Sequence, residues 1–78
     1  MNPKYRIGDL VQLTMEAAEH AQIDIHHLWK VITINLAAEE FYYGCSSYRY
    51  QHAAWLESEL TKPYHPFVDG YNASNSSK

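Results

Sequence analysis

The sequence predicts an all-β fold, a small antiparallel barrel with a partly helical insertion after the first strand. Three observations carry this. Tyr5-Arg6-Ile7-Gly8-Asp9 puts an aromatic and a Gly-Asp turn before Leu10-Val11-Gln12-Leu13-Thr14, which alternates with Val11 and Leu13 on one face and Gln12 and Thr14 on the other. Residues 28–36 are rich in β-branched side chains and contain no Gly or Pro. Phe41-Tyr42-Tyr43-Gly44-Cys45-Ser46 is dense in aromatics, which favour strands. An α+β arrangement is the alternative: Leu28, Ile32 and Leu36 are spaced by four, so a helix over 28–41 competes. The consecutive Val31-Ile32-Thr33 decides for strand, because β-branched side chains lose rotamer freedom in a helix.

The length of 78 residues bounds the chain to one domain. Residues 1–69 are predicted to form it, with 14–27 as the insertion. Residues 70–78, Gly-Tyr-Asn-Ala-Ser-Asn-Ser-Ser-Lys, are polar and low in complexity and are predicted to be a disordered C-terminal tail. A core built from so few residues is marginal, and the single cysteine excludes an internal disulfide. The net charge of −3, with six Lys and Arg scattered along the chain, weighs against nucleic acid as main partner, because phosphate binding needs a basic patch. No apolar run marks a leader at Met1-Asn2-Pro3-Lys4, and none is long enough to span a membrane. With one cysteine, this points to a reducing cytoplasm.

The elements follow in order. Met15-Glu16-Ala17-Ala18-Glu19-His20-Ala21 favours helix, with Met15, Ala18 and Gln22 sharing a face. In the strand over 28–36, Trp29, Val31 and Thr33 share one face, and Lys30, Ile32, Ile34 and Leu36 the other. Both faces are then apolar, and a small barrel has one interior. Ile32 and Ile34 are therefore expected under the insertion or against another chain, as in a homodimer. Ala37-Ala38-Glu39-Glu40 connects to the aromatic strand without strong turn chemistry. Ser46-Ser47 allows a turn, Tyr48-Arg49-Tyr50-Gln51-His52 alternates as the next strand, and residues 53–60 read as a short helical turn plugging one end. The expected core is Val11, Leu13, Trp29, Val31, Phe41, Tyr43, Trp55 and Leu60.

Tyr5-x-x-Gly8-Asp9-x-Val11-x-Leu13, then Tyr43-x-Cys45, then Trp55-Leu56-Glu57-Ser58-Glu59-Leu60 together resemble small bacterial SH3-like barrel proteins, the YodC-like family in particular. The likeness covers about half the chain, at both ends of the domain. The family's Gly-Gly-Pro turn after strand one is absent, and residues 15–27 stand in its place. The resemblance implies a fold and no reaction.

No constellation carries catalysis. His20, His26, His27, His52 and His65, with Asp24 and Cys45, lack any recognised zinc spacing, so they read as loop histidines and no metal or cofactor is assigned. Gly44-Cys45-Ser46 lacks a nucleophile's context and reads as a small buried hydrophobe in a strand. Glu39-Glu40 and the pair Glu57 and Glu59 read as solvated carboxylates. The seven Tyr and two Trp are the informative group, since not all fit inside. Outward aromatics supply rigid contact area for a protein partner, a cage for a cation, or a stacking surface for bases. The expected function is a non-enzymatic protein-interaction module, a small accessory or inhibitor-type protein. Its binding residues are Tyr42, Tyr48, Tyr50, Ile32, Ile34, His26 and His27. A nucleic-acid-associated barrel is the alternative.

Overall fold

The structure is a computed structural model that describes residues 2–63. The expectations for residues 64–78, the tail included, lie outside the described residues. The elements are β1 (Leu10–Leu13), α1 (Met15–Ala21), β2 (Trp29–Ala37), β3 (Glu40–Ser47), β4 (Gln51–Leu56), a 3₁₀ turn (Glu57–Glu59) and β5 (Leu60–Thr61). The strands form one antiparallel sheet in the order β4-β3-β2-β1-β5. The fold is therefore the all-β, SH3-like small barrel that the sequence predicts. A meander of three strands is extended by β1 and β5, and a 3₁₀ turn joins β4 to β5.

The chain enters through the expected Gly-Asp turn. The Asp9 amide donates to Arg6 O at 3.0 Å, and the Arg6 amide donates to Asp9 Oδ2 at 2.9 Å. Gly8 sits at φ 98°, where a Cβ is strained. Its amide donates to Val31 O at 2.8 Å, which sets β1 beside β2. Thr14 then caps α1, its hydroxyl accepting from the Ala17 amide at 3.2 Å. The buried face of α1 is Ala17 and Ala18, whereas Met15 points to solvent. Of Met15, Ala18 and Gln22, expected to share a face, only Ala18 is buried, and the small side chains of Ala17 and Ala18 let the helix lie close on the core.

The strand β2 carries the main correction. Val31 pairs with Cys45 and Thr33 pairs with Gly44, so Ile32 is an extra residue, a β-bulge. The bulge reverses the alternation. Ile34 faces Tyr43 and packs on the core, and Leu36 lies opposite Phe41 on that same face. Trp29, Val31, Ile34 and Leu36 therefore share one side, and Thr33 leaves it. The strand is not apolar on both faces, and Ile34 needs no second chain to cover it.

The core cluster is Tyr5, Val11, Leu13, Ala17, Ala18, Trp29, Val31, Tyr43, Cys45 and Leu60, with Ile34, Phe41 and Trp55 packed against it half-buried. All eight expected core residues lie in or against it. Tyr5, Ala17, Ala18 and Cys45 are the additions, Tyr5 the largest of them. Its ring meets Tyr43 edge-on at 5.3 Å, and its hydroxyl donates to Leu60 O at 3.1 Å.

The connection from β2 to β3 is a tight hairpin. Ala37 pairs with Glu40, leaving Ala38 and Glu39 as the turn. The chain accepts this with Ala38 at φ 56°, a left-handed conformation that costs a residue bearing a Cβ about 1–2 kcal/mol. Ala38→Gly is expected to raise stability by about 0.5–1 kcal/mol after the added unfolded-state entropy is subtracted. An unchanged or lower melting temperature would contradict this turn. Further on, Tyr48, Arg49 and Tyr50 form a turn, not the start of a strand. β4 runs straight through Ala53-Ala54-Trp55, where a helical plug was expected; the 3₁₀ turn keeps only Glu57–Glu59. Cross-strand pairing of Gly44 with Ala54 and Tyr43 with Trp55 overrides the local helical preference of those residues.

Candidate functional site

The expected binding residues fall into three places. Ile34 packs half-buried against the core. Tyr42 and Ile32 lie on the sheet, Tyr42 between Asn35 and Leu56 on the face turned away from the core, and Ile32 at the bulge. His27 and Tyr50 meet at one end of the barrel although more than twenty positions separate them in the chain, with His26 and Tyr48 in the two turns that carry them. This loop end is the candidate site.

The end of the insertion supplies one wall. Asp24 starts a turn, its carboxylate accepting from the His26 amide at 2.8 Å and its carbonyl from the His27 amide at 3.0 Å. Gln12 fixes that turn to the barrel by donating its side-chain amide to His26 O at 3.0 Å. Alternation placed Gln12 on the solvent side of β1. It is buried, because the insertion covers that side and needs a polar anchor beneath its carbonyl. No local pattern marks this role.

The turn between β3 and β4 supplies the other wall. The Tyr50 amide donates to Ser47 Oγ at 2.9 Å, and Gln51 takes φ 62° to re-enter the strand. The Tyr50 ring stacks on Trp29 at 5.7 Å and meets the His27 ring edge-on at 4.8 Å. His27 is also edge-on to Trp29 at 5.1 Å, and Trp55 closes the cluster from below at 5.4 Å. The rings are in mutual contact, so they form a filled stack and not an open cage for a cation. The Arg49 guanidinium lies over the Tyr50 ring, 5.9 Å from its centroid. Tyr48 is fully exposed at 102 %, and Tyr50 is 37 % exposed. Among the described residues, buried His27 Nε2, Trp29 Nε1 and Trp55 Nε1 find no hydrogen-bond partner. Such groups cost free energy, which the ring contacts must offset.

The carboxylates serve the frame. Tyr43 Oη donates to Glu57 Oε2 at 2.6 Å and accepts from the Lys4 and Tyr5 amides at 3.0 and 3.2 Å. Glu57 Oε2 also accepts from the Lys4 amide at 2.9 Å. Glu59 Oε1 accepts from the Leu56 amide and Glu40 Oε2 from the Ser58 amide, both at 2.8 Å. Glu40, Glu57 and Glu59 therefore hold the 3₁₀ turn, where solvated side chains were expected. An open cleft beside it is lined by Thr14, Glu16, Ala17, His20, Ser58 and Glu59. Among the described residues no group of three or more His, Cys, Asp or Glu is placed to hold a metal ion. Cys45 is buried and free, and burial pushes its thiol up to about 11, far from a reactive thiolate at neutral pH.

These contacts fix a pH dependence. The hydrogen bond from Tyr43, then that from the Lys4 amide, hold the Glu57 carboxyl below its ordinary range. A depressed carboxylate stabilises the fold above its unfolded value, and that contribution is lost as pH falls through the folded value. Burial foremost, with Glu57 adding to it, raises Tyr5 and Tyr43. Their contribution is present below the ordinary tyrosine value of about 10 and is lost as pH rises through the folded values. Stability is expected to plateau at neutral pH and fall on both sides, and Glu57→Gln is expected to flatten the acid arm. An unchanged acid arm in urea titrations of that variant would refute the role of Glu57.

Among the described residues no helix is long and apolar enough to cross a membrane. Comparisons with family models, with curated proteins and with solved structures find no match to this chain.

Proposed function

We propose that the protein is a non-enzymatic interaction module, a small accessory or inhibitor-type protein of the cytoplasm that binds another protein through its aromatic loop end. One observation carries this reading: Tyr50 is held on Trp29 and His27 beside the fully exposed Tyr48. A tyrosine held by its neighbours loses little side-chain entropy on binding, and tyrosines are favoured at interface centres. Tyr42 and Ile32 on the sheet are a separate, more weakly supported surface. Membership of the YodC-like family is proposed on the motif residues alone. Tyr5, Gly8, Asp9, Tyr43, Glu57, Glu59 and Leu60 all act in the frame described above, so kinship would explain the fold and leave the loop end free to differ.

Capture of partners from the source cell, at low and high salt, tests the reading. A protein partner retained at high salt and lost with Tyr48→Ala is the expected result, since screening acts on charge and not on apolar contact. Arg49 over Tyr50 beside an open tyrosine favours the second reading, stacking on nucleic acid. Binding only to DNA or RNA, lost steeply with salt, would replace the first reading with the second.

A further inference from the structure

We propose that the protein forms a two-fold dimer in which β4 pairs antiparallel with β4 of a second copy. This is independent of the loop end. The two edges of the sheet differ. β5 is only two residues long and runs into Lys62-Pro63. A short strand, a lysine and a proline are the usual guards against edge pairing. β4 is six residues long, and among the described residues it pairs only with β3. Gln51-His52-Ala53-Ala54-Trp55-Leu56 holds no Lys, Arg, Asp, Glu or Pro, and its pairing with β3 runs without a bulge. At its C-terminal end the Leu56 amide is taken by Glu59 Oε1; ahead of that residue no charge or proline guards the outer edge of the strand.

The sequence of β4 selects its own partner. In one continuous sheet, residues directly opposite must share a face. Ala53 and Trp55 face the core, whereas His52, Ala54 and Leu56 are exposed. Only registers joining residues of equal parity are allowed. The register centred on Ala54 sets Ala54 against itself, Trp55 against Ala53 and Leu56 against His52. Large meets small across the axis, and no formal charges meet. It also covers Leu56, which is 41 % exposed and lies opposite Tyr42 on β3. The register centred on Ala53 sets Trp55 against Gln51 and carries Leu56 beyond the partner strand, opposite Tyr50 of the turn.

Sedimentation of the full chain over a range of concentrations tests the proposal, with Ala54→Lys, His52→Lys and Tyr48→Ala as variants. Ala54→Lys puts like charges across the axis and should weaken dimerisation roughly tenfold or more. His52→Lys guards the same edge from a second exposed position, so it reads the edge should the first variant fail to fold. Both are expected to be monomeric where the unaltered chain is dimeric, with Tyr48→Ala still dimeric. An unaltered chain that stays monomeric at every concentration overturns the proposal. So does a dimer that the folded lysine variants leave intact. Loss of the dimer with Tyr48→Ala alone would move self-association to the loop end.

Discussion

Trp29→Ala is expected to unfold the protein. Trp29 is 0 % exposed and touches the rings of His27, Tyr50 and Trp55. Truncating a buried tryptophan costs about 3–5 kcal/mol, through lost transfer free energy and the cavity left behind. Small domains hold only about 5–15 kcal/mol in total, and a core this size belongs at the lower end. The variant should lose its cooperative urea transition or shift it far below that of the unaltered chain. Trp29→Phe keeps a ring in place and should retain the transition at lower stability. If Trp29→Ala cost less than about 1 kcal/mol, the stack would be a surface feature and not part of the core. Tyr50 and His27 rest on this ring, so the loop end should lose its shape before the fold is fully lost.

Tyr43→Phe is expected to cost about 2–4 kcal/mol, although only one oxygen is removed. That oxygen donates to the Glu57 carboxylate at 2.6 Å and accepts from the Lys4 and Tyr5 amides. Lys4 keeps a second acceptor in Glu57, but the Tyr5 amide is left buried and unpaired. The charge-assisted bond and the orphaned amide together set the magnitude. Glu57→Gln retains an acceptor and should cost less. Urea unfolding of both variants separates these terms. Near-equal stability of Tyr43→Phe and the unaltered chain would mean that the hydroxyl is open to water.

The parts of the fold that alternate cleanly were legible in the sequence. Val11 and Leu13 in β1 and Tyr43 and Cys45 in β3 are read correctly from period two, because one face of each strand meets the core. Leu60 was legible as an anchor of the segment over 53–60, whereas Leu56, expected to anchor it too, is exposed because β4 turns it away from the core. The bulge at Ile32 was not, since its neighbours carry no Gly or Pro, and a one-residue insertion in pairing shows only against the partner strand. The error at Ile34 follows from it. Likewise Ala53-Ala54-Trp55-Leu56 favours helix in isolation, and only the pairing with β3 makes it a strand. Of the candidate site, the aromatic types were legible and their grouping was not. His27 and Tyr50 meet through Gln12 and Asp24, whose bonds to main-chain atoms leave no pattern in side-chain chemistry.

The clasp between Tyr5 and Leu60 joins positions 55 residues apart, a separation that is expected to order the assembly of the chain in time. The β2–β3–β4 meander needs only contacts between successive strands, so its loops close at small entropic cost. The clasp closes nearly the whole domain, and its reward comes only after that larger cost is met. During synthesis the meander is complete once Leu56 has emerged, whereas Tyr5, made near the start, waits for Leu60. Val11, Leu13 and Trp29 stay partly uncovered for that interval. β5 is thus expected to act as a release step, covering apolar surface that the meander alone leaves open.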